Sequence, residues 1–471
     1  ISGTTLASGA RRFANGQMPD RNPELILAQP DAGPPPGMAV RIRRALSPRS
    51  AVARLRHPIA RNAAVLYLQQ AANYILPIIT IPYLARVLGP HAWGVVVFAQ
   101  GFSNWLSRLL EYGFNLSATR EVAARRTETG EVADIVCGVL GAQALLVAGA
   151  GLASIVAALT VPSFQDRELY VVLAWLAAIA QGLNPLWFYQ GFEDMRLPAL
   201  LSVTARLIAT GGVFVLVTSP EDGWIVLALQ VVAGLAATGI AIGMIYRRVP
   251  ARLPTLRAAW GAFVQGWRVF LLRGSITLYS TANVFLLGLF VPPNQIAFYG
   301  AAERITNACY DSLSPISQAL FPHMSRLVRT DRKRAERVAR NSLFMLGGVG
   351  LMASTAIFFL APVVVRVLLG AKYVDAIPVL RIMSLIPLLA AVSNLLGVQW
   401  MVPLGLERQM NRAIVAAGLF NVMLVPLLAP RFGALGAATA VVCAELVVTL
   451  GMYVTLRRLR LDPFAPQRRD R

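Results

Sequence analysis

From residue 62 onward the chain is a succession of apolar runs, each about twenty residues or longer, the length a helix needs to cross a bilayer. They fall near 62–86, 91–112, 133–160, 168–190, 197–218, 223–246, 268–291, 295–321, 342–369, 376–402, 411–430 and 433–456. Punctuation between them is short: Gly89-Pro90, Pro220, Pro292-Pro293 and Pro430. Twelve membrane-spanning helices are expected, an all-α integral membrane protein. The seventh run, "FLLRGSITLYSTANVFLLGLF" (270–290), breaks the apolar rule in an ordered way. Arg273, Thr277 and Ser280 fall within an arc of about 60° on a helix, so they form one polar stripe.

A shift of 203 residues lays the two halves of the chain on each other, with Gly89-Pro90 on Pro292-Pro293 and Asn104 on Asn307. Gln100, Ser103, Asn104, Ser107, Arg108 and Glu111 share one face of the second span. Glu303, Thr306, Asn307, Tyr310, Asp311 and Ser314 take the same six positions in the eighth. Gln70, Tyr74 and Thr80 of the first span map onto Arg273, Thr277 and Asn283 of the seventh. Further along, "GFEDM" (191–195) is echoed by "GLERQ" (405–409), where Glu193 and Glu407 read as helix-start carboxylates favoured by the dipole. The repeat predicts two pseudo-symmetric six-helix bundles, 62–247 and 268–457. A connecting loop at 248–267 joins them, and basic tails at 1–61 and 458–471 flank them. Six spans return the chain to its starting side, so the repeat axis runs along the membrane normal.

Composition agrees with this picture. Of 471 residues 56% are hydrophobic and only 14% charged, against about a quarter charged in a soluble domain. The net charge of +21 raises nucleic acid as a partner. The cations, however, sit in tails and alternate loops rather than in a soluble basic domain, so no nucleic acid is expected. Thirty-one Lys and Arg lie on the side of the termini and four on the other. That asymmetry places both termini in the cytoplasm, in a bacterial cytoplasmic (inner) membrane. Residues 1–61, with "PDAGPPPG" and an Arg-rich run, read as a disordered tail. Met38 stands just ahead of the basic run, and residues 1–37 are expected to precede the native start. Cys137, Cys309 and Cys443 lie in apolar runs without CxxC or His pairing, so no disulfide framework or metal site is expected.

A polar stripe facing lipid is costly: even a lenient insertion scale charges about 2.5–3.5 kcal/mol for one Arg or Asp at mid-membrane. The stripes must therefore face protein or water. For Ser103, Ser107 and Ser314 interhelical hydrogen bonding suffices. Arg108, Arg206, Arg273, Arg304, Glu111, Glu303, Asp311 and Glu445 lie within spans and Arg381 nearer a helix end; Arg86 and Arg366 snorkel from span ends. Arg108–Glu111 and Glu303–Arg304 can neutralise one another locally, whereas Arg206 and Arg273 have no acidic residue at helical spacing. A guanidinium keeps its charge in a low-dielectric site and holds phosphate oxygens bidentately. An arginine-lined cavity suits an anionic substrate, and neighbouring carboxylates suit H⁺ or Na⁺ as a coupling ion; no other cofactor is expected.

"EYGFNLSATREVAARR" (111–126) resembles the end of the second span in the Wzx-type oligosaccharide flippases of O-antigen and exopolysaccharide pathways. These are members of the multidrug/oligosaccharidyl-lipid/polysaccharide exporter superfamily. "NPLWFYQGFEDM" (184–195), "ERITNACYDSLSPISQALFPHMSRL" (303–327) and "FGALGAATAVVCAE" (432–445) are similar to further stretches of the family. The resemblance covers 62–456 and leaves out the 1–61 tail. It implies the V-shaped fold of two bundles around a central cavity. It further implies transport of undecaprenyl-pyrophosphate-linked oligosaccharide between membrane leaflets, in polysaccharide (lipopolysaccharide) biosynthesis beside a polymerase and a chain-length regulator. Arg273 and Arg304 match the cationic cavity positions best by location. The candidate substrate-binding set is Arg273, Arg304, Arg206, Arg108, Arg381, Asn283, Asn307 and Gln70; the ion-coupling candidates are Glu111, Glu303 and Asp311. A drug/cation antiporter or a lipid II flippase of the same fold stays open. A polyprenol-dependent glycosyltransferase or polymerase is disfavoured, because the loops opposite the termini are short and no nucleophile–base pair is visible.

Overall fold

The computed structural model of the chain describes residues 58–463 apart from 282, 312 and 313. The N-terminal tail up to residue 57 and residues 464–471 lie outside that range. Among the described residues there is no strand. In hydrocarbon no water pairs with a bare backbone amide, so a spanning segment closes its hydrogen bonds within itself.

Helix α1 (Pro58–Glu111) is followed by α2 (Phe114–Arg125), α3 (Thr129–Thr160), α4 (Glu168–Gly182) and α5 (Leu186–Gly191). Then come α6 (Arg196–Leu216), α7 (Gly223–Ile245), α8 (Leu256–Thr281), α9 (Asn283–Gly288) and α10 (Pro293–Asp311). The chain continues through α11 (Ser314–Thr330), α12 (Arg332–Val364), α13 (Ala376–Met383), α14 (Ile386–Asn394) and α15 (Glu407–Arg458). Unbroken, the 54 residues of α1 would run about 80 Å, far beyond a bilayer of about 30 Å. Gly89 (φ 70°, ψ 173°) breaks α1, and Gly433 (φ 58°, ψ −135°) breaks the 52-residue α15. Both are backbone states that a Cβ would strain.

Among the described residues eight helical segments are long and apolar enough to cross a membrane, and two of them are these double-length ones. Ten of the expected crossings are thereby accounted for. The seventh and eighth, α8–α9 and α10–α11, are not among the eight, since each is divided by residues outside the described ones, at 282 and at 312–313. Residues 256–267, expected as part of a connecting loop, are instead the first three turns of α8. Small residues explain this: Ala258, Ala259 and Ala262 press against Gly138 and Gly141 of α3. On the opposite face Leu256, Trp260, Val264 and Trp267 stay exposed, as Trp does at a membrane interface. A lipid-facing surface is evident elsewhere too, with Leu159 76%, Val215 73% and Phe359 70% exposed.

In the N-terminal half α4 and α6 both pack on α7; in the C-terminal half α9, α13 and α14 gather on α15. The halves meet through α8 on α3 and again around Gly94. There Phe285 of α9 lies against Phe98, Phe102 and Trp105 of α1, at centroid distances of 5.9, 5.2 and 5.4 Å. Gly94 of α1 sits so close to α10 that a Cβ would come within 1.7 Å of the Pro293 carbonyl oxygen. Membrane helices lack a hydrophobic drive toward each other, so small residues allowing close contact take its place. Gly94→Ala is expected to lower stability by about 1–3 kcal/mol through overpacking. Gly149→Ala, at a position with open space around it, should cost nothing. Melting temperatures of the two purified variants in detergent, set against the unsubstituted chain, check the contrast.

Candidate functional site

Between α1, α4, α6, α7 and α10 lies a cavity of about 570 Å³. Most of its wall belongs to the N-terminal half; the C-terminal half contributes Arg304, Asn307, Ala308 and Asp311. Arg206 of α6 donates to the side-chain oxygen of Asn73 (2.5 Å) on α1. Arg304 of α10 donates to Gln100 Oε1 (2.6 Å) on α1, and Gln100 in turn donates to Gln230 of α7 (3.3 Å). The Arg304 guanidinium also lies 5.1 Å from the centre of the Trp93 ring, an arrangement that holds a cation without neutralising it. Among the described residues neither Arg206 nor Arg304 is in an ion pair. Each guanidinium is hydrogen-bonded to an amide, and that of Arg304 also lies over the Trp93 ring.

The wall is polar and incompletely satisfied. Asn104, Arg206, Gln230 and Asn307 are exposed to the cavity. Trp93 Nε1, Ser103 Oγ and Asn184 Oδ1 are buried in its lining with no hydrogen-bond partner among the described residues. Pro77, also in the lining, has no N–H to give the carbonyl of Asn73 one turn earlier. A chamber with spare donors and acceptors around two unpaired cations fits an anionic, hydrogen-bonding ligand.

The other predicted residues are distributed differently. The side chain of Arg273 lies outside the described residues, as do those of Tyr74, Thr277, Ser280 and Ser314; only the backbone of Arg273 is placed, in α8. Arg108 and Glu111 form an i,i+3 pair at 3.0 Å, away from the cavity lining. Arg381 is exposed, its guanidinium 5.5 Å from the Phe358 ring. Asn283 is buried and accepts from Asn421 Nδ2 of α15 (2.6 Å). Glu303 accepts from the Tyr299 hydroxyl (3.3 Å) rather than lining the chamber. Gln70 is exposed and also falls outside the lining. Of the paired carboxylates outside the spans, Glu407 does open α15, but Glu193 has φ 58° between helices and meets Arg126 at 3.5 Å. Asn73, Gln181, Asn184 and Gln230 line the cavity without having been singled out. Each is an amide set in an apolar run, a weak signal that gains meaning only beside the arginines.

A hydrated chamber has a direct test. With Cys137, Cys309 and Cys443 replaced, Gln230→Cys should react with a charged maleimide in open membrane fragments. Val232→Cys, on the same helix but 69% exposed toward the lipid-facing side, should stay unlabelled.

Residues 59–328, more than half of the chain, match the family described as "Polysaccharide biosynthesis protein". A "Putative O-antigen transporter" of Escherichia coli (strain K12) is 30% identical over 86% of this chain and 98% of its own length. A "Probable low-salt glycan biosynthesis flippase Agl15" of Haloferax volcanii is 22% identical over 83% of this chain and 82% of its own length. Among solved structures, the lipid II flippase MurJ in an inward closed conformation superposes with a TM-score of 0.64 at 14% identity, covering 84% of this chain and 87% of that one. An inward-facing multidrug resistance MATE family transporter of the MOP superfamily gives 0.61 at 14% identity, covering 85% and 98%. At that identity the likeness concerns the fold, and it bears out the expected two-bundle architecture. The chain belongs to the polysaccharide biosynthesis protein family, as the resemblance to Wzx-type flippases of the exporter superfamily led one to expect.

Proposed function

We propose that the chain moves undecaprenyl-pyrophosphate-linked oligosaccharide across the bacterial cytoplasmic membrane, presenting the pyrophosphate to Arg206 and Arg304. Family membership makes it a multi-pass membrane transporter of polysaccharide precursors rather than an enzyme. The observation that carries the finer reading is the pair of arginines in one membrane-embedded chamber, each held by an amide and neither by a carboxylate. An uncompensated guanidinium at that depth costs several kcal/mol and is retained where a ligand or water meets it. A pyrophosphate group supplies the missing negative charge, and its oxygens match the guanidinium fork. The polyprenyl tail remains in lipid while the head group occupies the cavity.

A cationic drug would meet two like charges here, which disfavours the antiporter reading. With the termini in the cytoplasm, the orientation that the Arg-rich loops favour, the end where Gly94 meets Pro293 would face the periplasm. Alternating access then means rocking of one bundle against the other. Glu303, beside Arg304 in sequence and under the Tyr299 hydroxyl, is where a coupling H⁺ or Na⁺ would act. A polymerase and a chain-length regulator would take the product.

In a flippase-null strain complemented by this chain, Arg304→Ala and Arg206→Ala should each cut lipid-linked oligosaccharide delivery at least about tenfold. Arg304→Lys, keeping the charge but losing the fork, should retain part of it. Membrane abundance of every variant should match the unsubstituted chain. Full delivery by both alanine variants would remove the pyrophosphate assignment.

A further inference from the structure

Asp311 lies in the wall of two separate cavities. One is the chamber of Arg206 and Arg304; the other, of about 340 Å³, is enclosed by α10, α11, α12 and α14 and lined by Tyr310, Asp311, Ser317, Gln318, Asn394 and Val398, with Leu346 and Ala391 as its floor. Among the described residues no cation lines this second cavity and Asp311 is in no ion pair. The two cavities share a wall yet differ in chemistry: amide-held arginines on one side, a carboxylate with neutral polar groups on the other.

We propose that the second cavity is a binding site for the sugar end of the same head group. The assignment rests on the pyrophosphate reading above, since it needs the charged end of the ligand anchored in the first chamber. A sugar ring offers hydroxyls that both donate and accept, and two faces of C–H bonds. A carboxylate can accept from two adjacent hydroxyls at once, and such charge-assisted bonds are the stronger kind. Asp311 supplies that carboxylate, and Gln318 and Asn394 offer both amide donors and carbonyl acceptors. Tyr310 offers an apolar face with a polar tip. The acid also sorts the ligand by direction: it repels phosphate and so leaves that end to the arginines.

The polar groups are held in place rather than left to chance. Ser317 donates to Asn394 Oδ1 (2.6 Å), and Gln399 Nε2 donates to Ser317 Oγ (2.7 Å) and to its carbonyl (2.8 Å). Gln399 comes from a π-helical stretch, Leu395–Met401, that begins directly after Asn394. Such widened turns recur at functional sites because they re-aim side chains. Gln399 Oε1 is fully buried and has no partner among the described residues. These part-buried bonds hold Asn394 in the wall of the cavity.

The test uses the full chain in lipid nanodiscs and native mass spectrometry, which reports the mass of each lipid that stays bound. One probe is undecaprenyl pyrophosphate; the other is the undecaprenyl-pyrophosphate-linked oligosaccharide fraction extracted from the cells that encode the protein. Gln318→Ala and Asn394→Leu should lower occupancy by the sugar-bearing lipid about tenfold and leave the sugarless one within about twofold. Arg304→Gln should lower both about tenfold. Gln318 is exposed, so its substitution tests the site even if Asn394→Leu fails to fold. Equal loss of both lipids in the two cavity variants, or loss of neither, overturns the sugar site and leaves the pyrophosphate reading standing. Retention of both lipids by Arg304→Gln overturns the pyrophosphate reading instead.

Discussion

A charge or an unpaired hydrogen-bonding group in hydrocarbon has nowhere to go for compensation, and the architecture of this chain follows from that constraint. Backbone amides close on themselves in helices, and turns are confined to the ends, at Gly89 and Gly433 among others. Side chains that cannot close on themselves collect where protein or water can reach them. Arg206, Arg304, Asn104, Asn307 and Gln230 accordingly meet in one chamber, while Val215, Val232 and Phe359 cover the outside. Sorting of polar from apolar faces builds the cavity and the lipid surface in one step.

Within the chamber the manner of compensation matters more than the number of charges. Arg108 and Glu111 cancel one another at short range and leave little for a ligand. Arg206 and Arg304 are partnered by Asn73 and Gln100, which orient a guanidinium without removing its charge. An amide partner keeps the group rigid and still hungry for an anion. That difference separates two residues suited to phosphate from two that serve as a local strut. The packing of the halves at the opposite end, through Gly94, Pro293 and the Phe98–Phe285 stack, gives the chamber a closed floor.

Asymmetry between the halves is the less expected outcome. A 203-residue repeat implies equal stripes on the second and eighth spans, yet the larger cavity draws its wall mainly from the N-terminal half. Corresponding positions diverge in partner: Arg108 meets Glu111, while Asp311, its counterpart, faces two cavities. The unequal chambers suit an unequal ligand, charged at one end and hydroxyl-rich at the other. The two cavities adjoin at Asp311.

The apolar runs and the loop charges alone determined that the chain is a helical membrane protein of two repeated halves, because length and hydropathy act locally and need no knowledge of neighbours. The polar face of the eighth span was legible for the same reason, since helical periodicity puts Asn307 and Asp311 on the side of Arg304 without reference to anything else. Which polar residues meet was a different matter. Asn73 and Gln100 lie on the two arms of α1 either side of Gly89, Asn184 follows α4 and Gln230 is on α7, and only packing brings them around two arginines. Packing also extended α8 back to Leu256, where the small residues of its inner face found Gly138 and Gly141. It withdrew Asn283 into a buried bond with Asn421. A side chain's direction on its own helix is a property of the sequence; what lies opposite is decided by the tertiary contact, because burial energy depends on both surfaces at once.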